Sequence, residues 1–154
     1  MEPRINFYAA SPQLVEAMRG LEHAINQSGL EPSLRELVKT RASQINGCAY
    51  CIDMHTKDAR AAGETEQRLY ALNAWRETPF FTDRERAALE WTEAVTLIGE
   101  GHVPDDVFFR VRQFFTEAEL VALTFAVVAI NGWNRLAISF RAPVGSYQPA
   151  TTHA

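Results

Sequence analysis

The chain has 154 residues, enough for one domain with a real hydrophobic core. Apolar residues make up 47% and charged residues 22%, the composition of an ordinary globular protein, and a net charge of −4 leaves no basic excess for nucleic acid to bind. The first twenty residues carry no basic stretch followed by an apolar one, so no secretory leader is expected, and the longest apolar run, Leu120 to Ile130, is too short to span a membrane. These features predict a soluble cytoplasmic protein. In that compartment a close cysteine pair is catalytic or metal-binding rather than a permanent staple.

Residues 1–10 show no clear periodicity. Ser11-Pro12 offers an N-cap with proline at the first helical position. Leu14, Met18, Leu21 and Ile25 then recur at helical spacing until Gly29. His23 reads as a solvated surface residue. A second helix is predicted from Ser33. Ser33 and Glu36 stand at capping-box spacing, and Leu34, Leu37, Val38 and Ile45 form the apolar stripe. On this reading Glu36 caps its own helix, and Arg35, Lys39 and Arg41 are ordinary surface charges. Asn46-Gly47 breaks the helix, and another is predicted from there to Gly63.

That third helix carries both cysteines of the chain, as Cys48-Ala-Tyr-Cys51, followed by His55. At about 100° per residue, Cys48 and Cys51 lie roughly 60° apart and His55 falls within about 20° of Cys48. All three are therefore expected on one helix face. Two thiols and an imidazole just past a glycine break make a thiol redox site or part of a metal site. The plain alternative is a pair of buried structural cysteines beside an incidental histidine.

Further along, Thr65 can cap a helix carrying Leu69, Leu72 and Trp75, which ends before Pro79. Thr82 and Glu85 form a second capping-box pair, ahead of a helix with Leu89, Val95 and Ile98 that stops at Gly99 or Gly101. His102 falls in the loop that follows, and Pro104-Asp105 opens a short helix. Thr116 and Glu119 make a third box. From there to about Phe140 the chain is apolar on nearly every face, as expected of a central helix or one in an oligomer interface. Asn131, Trp133, Asn134 and Arg135 interrupt it and are read as polar groups satisfied inside a subunit contact. Residues 141–154, rich in Pro, Gly, Ser and Thr, read as an arm or a disordered tail that includes His153. No segment alternates like a strand. The predicted fold is all-α, a single-domain helical bundle over residues 1–154 with six or seven helices. A thioredoxin is a poor match, because its pair lies in a βαβ context that is absent here.

The run Glu36, Cys48-Ala-Tyr-Cys51, His55 resembles the signature of the alkylhydroperoxidase D family, within the carboxymuconolactone decarboxylase superfamily. Ser43-Gln-Ile-Asn-Gly-Cys48 and Asn134-Arg135-Leu136 resemble it too, and the firm part of the likeness covers residues 33–63. The resemblance implies an all-α oligomer, trimeric or hexameric, and a peroxiredoxin-type alkylhydroperoxide reductase. Carried over by position, Cys51 would attack the peroxide, Cys48 would resolve the product into a Cys48–Cys51 disulfide, and Glu36 and His55 would form the proton relay. The position before the second cysteine is often histidine in the archetype and is Tyr50 here. Helix-dipole reasoning alone favours Cys48 as the more acidic thiol, and the resemblance favours Cys51. No nucleotide or flavin motif is visible and no cofactor is expected. The electrons would come from an external dithiol or disulfide reductant, of which the family's lipoyl-bearing partner is an example. The alternatives are a lactone decarboxylase, a disulfide-relay adaptor without catalysis, and a zinc site. The last would need Glu36 or His102 as a fourth ligand beside Cys48, Cys51 and His55, and neither is spaced for it.

Overall fold

The structure, a computed structural model, describes residues 2–149. His153 and the end of the expected tail lie outside them. Among the described residues there are nine α-helices, one 3-10 segment and no strand. The count exceeds six or seven because four of the helices are short. α1 (Phe7–Ala10) forms where no periodicity is visible, capped by the Asn6 side chain. α2 (Pro12–Asn26) begins as expected with Pro12 at its first position after Ser11.

α3 (Pro32–Asn46) does not start at Ser33. Glu31 is the N-cap residue, Pro32 takes the first position, and no side chain caps the end. The Ser33–Glu36 box therefore does not form, and the Glu36 carboxylate is left for a tertiary partner. Gly47 closes α3 at φ +69°, a left-handed conformation that suits glycine. The Cys48 N–H returns to the Ser43 carbonyl at 2.9 Å and the Gly47 N–H to that of Gln44 at 3.3 Å. This turn leaves Cys48 extended, as the N-cap of α4 (Ala49–Ala61), so Cys48 stands ahead of the helix and not on its face.

After α4 come α5 (Glu66–Ala71) and a 3-10 segment (Leu72–Glu77), together the single helix expected there. α6 (Asp83–Thr96) starts with a complete Thr82–Glu85 box and stops before the glycines, which belong to a separate turn, α7 (Ile98–Gly101). α8 (Asp105–Val111) follows Pro104, and α9 (Glu117–Phe140) starts with a complete Thr116–Glu119 box.

The arrangement centres on α3 and α9, which pack on each other. α4 and α6 pack against both, and α2 joins on α9. Leu37, Leu72, Leu89, Leu123 and Ile130 are fully buried. α9 has 24 residues and is long and apolar enough to cross a membrane by length and composition alone. The apolar run Leu120 to Ile130 understates it, because Asn131, Asn134 and Arg135 interrupt the run without ending the helix. Those polar groups find hydrogen-bond partners within the chain. Asn46 Nδ2 donates to Asn134 Oδ1 at 2.8 Å and to Asn131 Oδ1 at 3.0 Å, Asn134 Nδ2 donates to Ser43 Oγ at 3.0 Å, and Asn131 Nδ2 donates to Thr96 Oγ1 at 3.1 Å. Asn134 and Ser43 are buried and Asn46 and Asn131 half-buried, and this paired polar network fixes the register of α3 on α9.

Candidate functional site

Cys48 and Cys51 are joined as a disulfide, with their Cα atoms 5.4 Å apart. The Cys48 sulfur also accepts the Cys51 N–H at 3.4 Å, as an N-cap does. Both cysteines are 1% exposed and pack among Ala42, Ile130 and Ala137. They face different spaces. Cys51 lines a cavity of about 330 Å³ that also contains Glu36, Tyr50, His55 and Asp58. Cys48 lines a separate cleft against Ala142, Pro143 and Val144. One-face geometry therefore holds for Cys51 and His55, one helical turn apart on α4, and fails for Cys48, which precedes the helix.

His55 is buried, and its Nδ1 lies 2.8 Å from Glu36 Oε2 on α3. A carboxylate at that nitrogen accepts Nδ1–H and leaves Nε2 as the basic nitrogen. The four residues singled out in the sequence thus form two joined pairs, Cys48–Cys51 and Glu36–His55, and Cys51, His55 and Glu36 line one cavity. Among the described residues, the other two histidines, His23 and His102, are exposed and do not line this cavity.

The cavity holds further polar residues that the sequence reading did not bring to it. Lys39, expected on the surface, is buried and paired with Glu22 Oε2 at 2.5 Å, and Trp133 Nε1 donates to the other oxygen of Glu22 at 3.1 Å. Tyr8 from α1 shares the cavity with Tyr50, and its hydroxyl is pushed up to about 12, mainly by burial and then by Tyr50. Asp58 accepts the Tyr147 hydroxyl at 2.7 Å. Of these only Asp58 carried a local signal, as it stands three residues beyond His55 on the same helix face.

Glu36, His55 and Asp58 bring one ligand-type atom each within 4.8 Å of one another. A cation there would have to displace the Glu36–His55 and Asp58–Tyr147 hydrogen bonds, so the cluster reads as a hydrogen-bonded network around the imidazole. A zinc site built on Cys48, Cys51 and His55 would need two free thiolates, and the two sulfurs are bonded to each other.

Residues 12–94 match the model of the Carboxymuconolactone decarboxylase family. The chain is 46% identical over 139 residues to YdfG, an uncharacterized protein of Bacillus subtilis (strain 168), a match that covers 90% of this chain and 95% of that one. A crystal structure from Agrobacterium tumefaciens has a TM-score of 0.89 and 45% identity, covering 97% of this chain and 100% of the other. It is a protein of unknown function provisionally named an antioxidant defence protein AhpD. The debrominase Bmp8 shares the fold at a TM-score of 0.80 and 19% identity, over 90% of this chain and 74% of that one.

Proposed function

The chain belongs to the carboxymuconolactone decarboxylase family, and from that premise we propose that it is a thiol-dependent hydroperoxide reductase of the alkylhydroperoxidase D kind. The observation that carries this reading is the placement of Cys51, already paired with Cys48, in the same cavity as the hydrogen-bonded Glu36 and His55. The provisional name of the Agrobacterium tumefaciens structure points the same way.

In the reduced protein, Nε2 of His55 takes the Cys51 proton, and Glu36 on Nδ1 steadies the resulting imidazolium. The Cys51 thiolate attacks the hydroperoxide. A sulfur–oxygen bond forms, the O–O bond breaks, and the departing alkoxide takes the proton from His55 and leaves as an alcohol. The Cys48 thiol then attacks the sulfenic acid, the disulfide forms and water leaves. Two thiols have lost two electrons and the peroxide has gained them. An external dithiol restores the pair through a mixed disulfide. Because both sulfurs are buried, that reductant is a small dithiol or one on a slender arm, for which a lipoyl group is suited. The cytoplasm supplies such dithiols. The assembly is a homo-oligomer, a trimer or hexamer.

The geometry supports Cys51 as the attacking thiol and Cys48 as the resolving one. The helix N-terminus favours a thiolate at either position of this first turn. Cys51 shares its cavity with the base, whereas Cys48 faces the cleft behind it. Lactone decarboxylation, which names the family, uses no dithiol and leaves the pair unexplained. An adaptor that only relays disulfides has no need of a cavity with an oriented base. A debrominase on the same fold is a reminder that fold alone does not choose the electrophile.

The test is a thiol count. One equivalent of cumene hydroperoxide per chain should remove both thiols of the reduced protein, two for each peroxide consumed, and dithiol should return them. Cys51→Ser should abolish the reaction. Cys48→Ser should leave a sulfenic acid at Cys51 that can be trapped. A sulfenic acid trapped at Cys48 in Cys51→Ser would reverse the roles, and thiols inert to peroxide would end this reading.

A further inference from the structure

The segment after α9 runs back along α4. Lys57 Nζ donates to the carbonyl of Tyr147 at 3.0 Å and to that of Gly145 at 3.4 Å, and the Gly145 N–H donates to Asp53 Oδ2 at 3.3 Å. These bonds bring the Tyr147 hydroxyl to Asp58 Oδ1, 2.7 Å away. Asp58 lines the Cys51 cavity, and its carboxylate lies within 4.8 Å of both a His55 ring nitrogen and a Glu36 oxygen. Two carboxylates therefore flank one buried imidazole. The inner one, Glu36, is bonded to the ring, and the outer one is bonded to a tyrosine from the far end of the chain.

We propose that Tyr147 is a positioning residue of the redox site: its hydrogen bond holds the Asp58 carboxylate and screens its charge from His55 and Cys51, so that docking of the C-terminal arm sets the reactivity of the thiol. This rests on the reading of Cys51 as the reactive cysteine. Burial, then the hydrogen bond to Asp58, pushes the Tyr147 hydroxyl well above the usual tyrosine range, so it remains a donor at every working pH.

The other charged and titratable groups of the cavity are already engaged or distant from this role. From α3, Glu36 is bonded to His55 and Lys39 is paired with Glu22 of α2. Arg19 of α2 lies near Glu16 at 3.6 Å and over the Tyr8 ring, and Tyr8 of α1 and Tyr50 of α4 are neutral phenols. Asp58 is the charge beside His55 whose partner comes from outside the helices.

The sign of the effect is fixed by charge. A carboxylate that has lost its donor makes the local potential more negative, which disfavours the Cys51 thiolate and favours the protonated imidazole, and a neutral amide does the reverse. In a Cys48→Ser background, where Cys51 is the sole thiol, the rate of alkylation by iodoacetamide against pH reports the thiolate. Tyr147→Phe should move the midpoint to higher pH by about half a unit, or about threefold slower alkylation at a fixed pH below it. Asp58→Asn should move it to lower pH. Unchanged midpoints, or two shifts in the same direction, would overturn the proposal, since a merely structural loss has no reason to reverse sign. Alkylation needs no peroxide. Opposite shifts in proteins that fail to consume cumene hydroperoxide would uphold the role of Tyr147 while defeating the hydroperoxide reading.

Discussion

Glu36 can serve its own helix or a partner, and the neighbouring Pro32 decides between them. Proline at the first helical position puts the N-cap at Glu31, moves Ser33 inside the helix and takes away the reason for Glu36 to fold back. The carboxylate meets His55 instead, at 2.8 Å. Glu36→Gln keeps an acceptor near Nδ1 but cannot balance an imidazolium. Its rate of oxidation by peroxide should fall on the order of tenfold, a fraction of what positioned acid–base groups contribute. Its thermal midpoint should hardly move, since no cap is lost. An unchanged rate in single-turnover thiol oxidation would remove Glu36 from the relay. The four residues of this site are legible in sequence because three of them lie within one local run and the fourth is one helix earlier. Lys39, Trp133 and Tyr147 are not legible. Trp133 meets Glu22 across 111 residues and Tyr147 meets Asp58 across 89, distances at which periodicity carries no signal.

Among the helices, periodicity and caps locate the long elements well and misjudge the ends. Two of three expected boxes form, at Thr82 and Thr116. The third fails at Pro32, and the rule that places Pro12 correctly, applied to Glu31-Pro32, would have placed it too. Leu69, Leu72 and Trp75 are spaced by threes, the period of a 3-10 helix, and the chain does pass into one at Leu72. The Thr116 box matters most because it starts the central helix. Glu119 accepts the Thr116 N–H and hydroxyl, each at 2.8 Å, and pairs with Arg84 at 2.9 Å. The bonds from Thr116, and then Arg84, hold its carboxyl down at about 2. A folded-state value below the ordinary 4.5 means that this stabilisation is complete above that range and is lost as the pH falls towards 2. Thr116→Ala should therefore cost about 1 kcal/mol at neutral pH. Urea unfolding should show the gap between Glu119→Gln and wild type closing as the pH is lowered from 5 to about 2. A gap that widens on acidification would contradict the assignment.

At the scale of the molecule, the apolar surface exceeds what one chain encloses. Val121, Phe125 and Val128 of α9 stand at helical spacing and are 56%, 49% and 50% exposed. On another side, Leu14, Met18, Leu136 and Phe140 line an apolar groove between α2 and α9, with Leu14 71% exposed. This groove explains why the α2 stripe read from the sequence is only partly buried. Contiguous apolar surface of this kind costs free energy in water unless something covers it, and the mean hydropathy of α9 makes it the natural seam. A second copy of the chain, packed in closed symmetry, would cover it with a matching apolar face. Sedimentation at micromolar concentration should show an oligomer, and Phe125→Glu, which places a charge in the centre of the α9 stripe, should shift it towards smaller species while leaving the helical circular dichroism unchanged. The Cys51 cavity is built from α1–α4 and α9 of a single chain, away from that stripe. The dissociated Phe125→Glu protein should therefore still form the Cys48–Cys51 disulfide with peroxide. A wild-type chain that sediments only as a monomer would show that this surface stays open to water.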